Sequence, residues 1–172
     1  NVLMGLGLDY TKESFTFDEI LGIKYRYVSN NEYYYYDEAN NRYRSYGYND
    51  AMLYENSDTE ITIVGIHRES PNCSYPLYDT GLLYTSKLTD YIVDDANNSD
   101  IGIDQKTYGK ELNVLTGKPF TEYTGVSSSQ SIDYQYESQM ISFGCVAPIT
   151  RINIYSKTFE DRNVIEDYVK SY

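Results

Sequence analysis

Apolar and polar residues alternate from Ile23 to Ser29, with Tyr25, Tyr27 and Ser29 on one face, the period of a half-buried strand. Asn30-Asn31 predicts a turn, and Glu32–Asp37 a second strand that closes a hairpin with the first. A third short strand is expected around Arg42–Tyr46, after the polar Asn40-Asn41, and a helical turn over Ala51–Asn56. Ile61-Thr-Ile-Val-Gly-Ile-His67 carries the strongest strand signal, being β-branched and apolar over most of its length. Gly65 inside it marks a bulge or a close backbone neighbour. Ahead of these strands, Phe15, Phe17, Ile20 and Leu21 sit beside Asp18 and Glu19 and are closed by Gly22, which predicts a short helix.

The later half changes period. Gly81–Tyr84 predicts a short strand, and Thr85 or Ser86 then caps a helix to about Asp95, with Leu88, Tyr91 and Ile92 on one side. Asn97-Asn-Ser-Asp100 breaks that helix, and Ser99 or Asp100 caps a second one running up to Gly109. Leu112–Leu115 predicts a strand ended by Thr116-Gly-Lys-Pro119, and Gln139–Val146 a strand or bend before Pro148. Glu69–Thr80, with Pro71 and Pro76, and the Ser-rich Gly125–Ser131 predict loops. At the end, Ile152, Ile154 and Ser156 alternate as a strand, and Thr158 with Asp161 resembles a capping box. Ile165, Tyr168, Val169 and Tyr172 then share one helical face. Strands lead and short helices cluster later, so the expected class is α+β, a mixed sheet with short helices. A terminal βα unit ordinarily leads into another strand, so the chain is expected to be part of a longer polypeptide. The expected division is a strand-rich lobe with two short helices over 1–140 and the βα unit over 141–172.

At 172 residues the chain suffices for one sizeable domain or two small lobes sharing a core. Its net charge of −12 repels the phosphate backbone, which argues against nucleic acid, and it carries no polybasic patch for anionic lipid. No run reaches the ~18 apolar residues of a membrane helix, and no secretory leader is evident. The compositional outlier is tyrosine, with 22 residues against five Phe and no Trp. A tyrosine keeps a polar tip in water while burying its ring, so these residues read either as a plain half-exposed β surface or as a stacking platform for sugars or peptides. Tyr33, Tyr34, Tyr35 and Tyr36, together with Ser127, Ser128 and Ser129, are the candidate contact surfaces.

Catalytic patterns are weak. His67, the single histidine, is read as a strand-end residue facing solvent or a neighbour, and no Gly-x-Ser-x-Gly elbow accompanies it. Asp18/Glu19, Asp94/Asp95, Glu160/Asp161 and Glu166/Asp167 are adjacent pairs, whereas a glycosidase places its two carboxylates on separate segments. They read as solvated helix faces and first-turn acids. Asp94–Asp100 lacks the spacing, central glycine and terminal Glu of a calcium loop. Gly5-Leu-Gly7 and Thr116-Gly-Lys118 fail as phosphate cradles, the latter because Pro119 replaces the hydroxyl residue. Cys73 and Cys145 fit no metal motif; they are two partly buried thiols, or one bridge if the domain is extracellular. No cofactor, metal or catalytic residue is expected.

Several separated segments resemble the large extracellular domain of MacB/FtsX-type ABC transporter permeases of low-GC Gram-positive bacteria. They are Phe17-Asp-Glu-Ile-Leu-Gly22 with Lys24-Tyr25, Ile61–Ile66 with Arg68, Gly81–Ser86 running into Leu88–Tyr91, Val114–Phe120, and Ile152–Tyr155 with Phe159-Glu-Asp161. Their order matches the family from about Phe17 onward, while Asn1–Ser14, the Cys73 loop and the Ser127–Ser131 loop depart from it. The resemblance implies a non-catalytic domain inserted between two membrane helices of a permease at the cell membrane, lying on the extracellular side. The terminal βα unit would be the returning half of a porter-like lobe. Implied partners are a cytoplasmic ABC ATPase, a second permease copy and an extracytoplasmic adaptor. ATP hydrolysis inside the cell would then drive movement or substrate handover outside it. Beside this stand a Tyr-rich cell-surface module that binds carbohydrate or protein, and, third, a hydrolase.

Overall fold

Polar N-caps set where most of the described helices begin. The computed structural model describes residues 11–47, 49–68, 70–72, 81–124, 129–149 and 158–171. It is an α+β arrangement of short two-stranded antiparallel ladders and helices. The elements are α1 (Phe17–Ile20), β1 (Lys24–Tyr27), α2 (Asn30–Tyr33), β2 (Tyr34–Asp37), β3 (Arg42–Ser45), α3 (Asp50–Asn56) and β4 (Thr59–Thr62). These are followed by α4 (Ser86–Asn98), α5 (Asp100–Tyr108), β5 (Tyr123–Thr124), β6 (Ser129–Gln130), α6 (Ile132–Ser142) and α7 (Phe159–Lys170). Every described strand pair is antiparallel, so the expected mixed sheet is replaced by separate ladders among the described residues.

The first expected hairpin does not form. Ser29-Asn-Asn-Glu32 is a capping box: the Glu32 carboxylate accepts from the Ser29 backbone N–H at 2.7 Å and starts α2 where a turn was expected. The chain is thereby redirected, and β1 pairs with β4 (Tyr25 opposite Ile61) while β2 pairs with β3 (Tyr36 opposite Tyr43). The apolar 61–67 run is strand only to Thr62; Ile63 still exchanges backbone bonds with Gly22 and Ile23, but Val64 is 89% exposed. The strand expected over 81–84 is absent, and Leu82, Leu83 and Tyr84 are exposed. The strand expected over 152–156 lies outside the described residues, as does the Cys73 loop.

The two middle helices match their signals closely. Thr85 precedes α4, Ser99 caps α5 by accepting from Gly102 N at 3.2 Å, and Gly109 ends α5 with φ +57°. Ser99 serves both helices, since it also donates its hydroxyl to Ala96 O at 2.7 Å. The corner between them is so tight that a Cβ on Gly102 would sit 2.2 Å from Ala96 O, leaving room only for glycine. Asn30 braces the same corner, donating to Ser99 Oγ and Phe143 O, while the Asp100 N–H donates to Asn31.

Where a strand or bend was expected at 139–146, the structure has the end of α6. Ser131 caps this helix by accepting from Tyr134 N, and Gly144 (φ +77°) terminates it in a Schellman motif. Cys145 N donates to Met140 O at 3.0 Å, Gly144 N donates to Ile141 O at 2.9 Å, and Met140 and Cys145 meet in the core. Residue 140, the expected lobe boundary, lies within this helix, and the core draws on both sides of it. That core contains Tyr43, Ala96, Ile101, Val114, Met140, Phe143 and Cys145. Residues 112–115, expected as a strand, instead form an Asx turn, in which Asn113 Oδ1 accepts from the N–H groups of Leu115 and Thr116. Val114 within it and Phe120 beyond it are buried. Thr158 caps α7 as its pattern indicates, accepting from Asp161 N at 3.1 Å, yet Tyr168 and Val169 are exposed and Ile165 only half-buried.

Gln105 ties these parts together. Its side chain is fully buried; Nε2 donates to Gly109 O and Leu112 O, both at 2.8 Å, and Oε1 accepts from Val114 N and from the Gln139 amide. Replacing it with leucine strands a buried N–H and a second buried amide, so Gln105→Leu is expected to lower unfolding free energy by about 3 kcal/mol in urea titrations. Thr107→Ala on the exposed side of the same helix should stay within about 0.5 kcal/mol. A Gln105→Leu loss under about 1 kcal/mol contradicts this role.

Candidate functional site

The alternation of a strand splits the tyrosine run in two. Tyr34 and Tyr43 face the core, Tyr34 meeting Phe143 edge-on at 5.7 Å; Tyr36, opposite Tyr43 and 5.2 Å from its ring, is 45% exposed and donates its hydroxyl to Asn41 Oδ1. Tyr33, Tyr35 and Asp37 fall on the other face with Arg42, Arg44 and Tyr46, in the register that pairs Tyr35 with Arg44 and Asp37 with Arg42. Tyr46 continues this register, its N–H donating to Tyr33 O at 3.0 Å. On that outward face the rings of Tyr35 and Tyr46 lie 4.8 Å apart at 36°, and Tyr46 is 50% exposed. Of the candidate contact residues, Tyr36 is exposed, Tyr35 is half-buried beneath the exposed Tyr46, Tyr34 is part of the packing, and Tyr33 leans edge-on against Tyr34. Ser127 and Ser128 lie outside the described residues, and Ser129 opens β6, opposite Thr124.

The polar groups of this face are held in place by one another. Arg44 bonds Asp37 Oδ2 at 3.3 Å, and Asn40 donates its amide to the same oxygen at 2.7 Å and its backbone N–H to Oδ1 at 3.3 Å. The Asn40 amide, and then the Arg44 guanidinium, hold the Asp37 carboxyl below the usual carboxylate range, so it is an ionised, oriented acceptor. The turn beneath is formed by Asn41 at φ +51° and is backed by the 113–118 loop, whose Gly117 comes up against the Asn41 carbonyl. Arg42 Nε is buried without an acceptor among the described residues. Tyr46 and Arg44 were not singled out from sequence, although strand alternation carried through 42–46 would have placed them beside Tyr35.

Elsewhere the acidic helices serve a different purpose. Asp95 of α4 accepts from the Tyr27 hydroxyl at 3.0 Å, and Asp104 of α5 accepts from the Tyr43 hydroxyl at 2.7 Å. The Asp94/Asp95 pair thus divides into an exposed carboxylate and a half-buried acceptor. An open groove of about 530 Å³ runs along α4, lined by Asp90, Val93, Asp94, Asn97 and the 145–147 segment. Cys145 at its margin is a free, buried thiol bonded to Ala96 O. Burial pushes its pKa up, which keeps it protonated and a poor nucleophile. His67 is exposed beyond β4. Among the described residues no cluster of three or more His, Cys, Asp or Glu side chains could hold a metal ion. No helix among them is long and apolar enough to cross a membrane.

No family model, curated protein or solved structure matches the chain.

Burial first, and then the aspartate partner, raise the phenol pKa of Tyr27 and Tyr43 well above the ordinary value of 10.0, and burial, then Tyr33, raises that of Tyr34. Below pH 10 both folded and unfolded chains keep these protons, and the stabilisation is whole. As pH rises through and beyond 10, the unfolded chain releases protons that the folded chain retains, so stability falls. Urea midpoints followed at increasing alkaline pH should decline, with part of the phenolate absorbance appearing only on unfolding. Tyr43→Phe should flatten that decline; an unchanged slope would contradict the pairing with Asp104.

Proposed function

We propose that this chain is a non-catalytic extracellular domain of a MacB/FtsX-type ABC transporter permease. It would couple ATP hydrolysis by a cytoplasmic ATPase to movement or substrate handover outside the membrane. The observation that carries this reading is the way in which the family-like segments meet. Gly22 and Ile23, closing the Phe17–Gly22 segment, exchange backbone bonds with Ile63, and Lys24-Tyr25 pairs with Ile61-Thr62. Tyr91, the end of the Leu88–Tyr91 segment, packs edge-on against Tyr27 at 5.9 Å and shares a hydroxyl bond with Thr59. Val114, opening the Val114–Phe120 segment, receives Tyr43 N at its carbonyl and is itself buried in the core. Two of the segments that carry the resemblance, far apart in the chain, are thus paired directly in one ladder; Tyr91 of a third touches Tyr27 and Thr59, and Val114 of a fourth touches Tyr43.

The reading also fits the character of the surface. Acidic groups of the described helices cap helix starts (Glu19, Glu32), pair with lysines (Asp133, Glu166) or accept from tyrosine hydroxyls (Asp95, Asp104), roles that are structural and suit a domain acting through shape.

The test is topological. In cells producing the intact parent protein with Cys73→Ser, a Val64→Cys substitution at an 89% exposed position should react with a membrane-impermeant maleimide without permeabilisation. The labelled product should stay with the membrane through a high-salt wash. Labelling that needs permeabilised cells, or a product released as a soluble protein, rules the proposal out.

A further inference from the structure

We propose that the outward face of the β2–β3 hairpin is a binding site for a neutral oligosaccharide, with Tyr46 as the stacking ring and Arg44 and Asp37 as its hydrogen-bonding pair. This site is independent of whether the parent protein is a permease.

Three features of the face converge on that ligand chemistry. The first is a supported aromatic ring. Tyr35 backs Tyr46 at 4.8 Å, fixing the outer ring while half of Tyr46 remains open to solvent. A pyranose presents a patch of C–H groups on one face, which suits an aromatic surface, while its hydroxyls point outward around the rim.

The second is a donor and an acceptor side by side. Arg44 has half of its side chain exposed and retains N–H donors beyond the one engaged with Asp37. Among the described residues Asp37 Oδ1 holds only the long bond from Asn40 N–H, so it keeps acceptor capacity through the 14% of its side chain that is open to solvent. Adjacent hydroxyls of a sugar require such a pairing, one group donating to a hydroxyl oxygen and the other accepting its proton. Both side chains are oriented beforehand, Asp37 by Asn40 and Arg44 by Asp37, so little ordering entropy is lost on binding.

The third is charge. Arg44 and Asp37 neutralise each other beside Tyr46, Arg42 of the same face is half-buried with its Nε out of reach of solvent, and the whole chain carries −12. An anionic polymer would be repelled at long range and would find no unpaired cation among Tyr46, Arg44 and Asp37. A neutral ligand meets neither obstacle.

One open ring and one polar pair make a weak site, with an expected Kd of about 1 mM for a short oligosaccharide. The purified chain is titrated with cello-, malto- and chito-oligosaccharides, with an oligouronate and with a tyrosine-tolerant peptide library, and binding is read by saturation-transfer NMR. The proposal expects at least one neutral series to bind, Tyr46→Ala to abolish that binding, and Arg44→Ala to weaken it by about 10-fold or more. Tyr46→Phe, which keeps the ring, should bind within about 3-fold of the native chain, and unchanged circular dichroism melting of each variant shows that the fold is intact. The proposal is overturned by any of four results: no neutral sugar binding at roughly 10 mM, binding that survives Tyr46→Ala, preference for the oligouronate, or binding of peptides alone.

Discussion

A single buried amide organises the interior. Gln105 could have been an apolar residue at its place on α5, but an apolar residue would leave the 109–114 loop without partners for its inward-facing backbone. By donating to Gly109 O and Leu112 O and accepting from Val114 N, the glutamine lets an irregular segment lie against a helix as though it were a strand edge. Its remaining acceptor capacity takes the Gln139 amide and so brings in α6. Because every polar atom of this side chain is satisfied, burial strengthens the network instead of penalising it. Val114 then serves two elements, with its N–H held by Gln105 and its carbonyl accepting from Tyr43 on β3.

Tyrosine solves a related problem on the other side of the core. Two carboxylates of the middle helices, Asp95 and Asp104, are half-buried where water is scarcer. They accept hydrogen bonds from the Tyr27 and Tyr43 hydroxyls, so each has a polar partner without a counter-cation. The same two tyrosines bring aromatic bulk, Tyr43 into the core and Tyr27 against Tyr91. Phenylalanine would supply the ring but not the proton, which is a physical reason for a composition so rich in tyrosine.

What could be read from the sequence depended on whether a signal was local. The Ser99 corner, the Gly109 stop and the Thr158 cap each involve residues within one turn, and each appears where its pattern places it. The Ser29–Glu32 capping box was equally local, but the run of tyrosines beyond it carried a strand signal strong enough to mask it. The helix from Ile132 was hidden because Ile141, Phe143 and Val146 look like a strand once Gly144 is read as a bend and not as a helix stop. Pairing was the least legible property: nothing near Tyr25 indicates that Ile61 will be its partner, since that choice follows from α2 removing Tyr34 from competition. The tyrosine run was legible as a surface feature, but its division into inward Tyr34 and outward Tyr35 needed the strand boundary at Tyr34 to be placed within one residue.

The β1–β4 ladder shows why such pairings must be supported from outside. Two strands of four residues have no independent stability in water. Here Ser57, fully buried, donates to Tyr27 O and accepts from Arg26, whose guanidinium lies over the Tyr54 ring at 4.8 Å. Tyr27 and Thr59 reach across to Tyr91 and Asp95 on α4. Displacing the ladder therefore moves α4, and α4 is joined to α5 through the glycine-tight corner at Ser99, which Asn30 and Phe143 brace. That corner is held by the Ser99 hydroxyl, which bonds both helices, and by the Asn30 amide, so the ladder, α4 and α5 share one set of polar contacts.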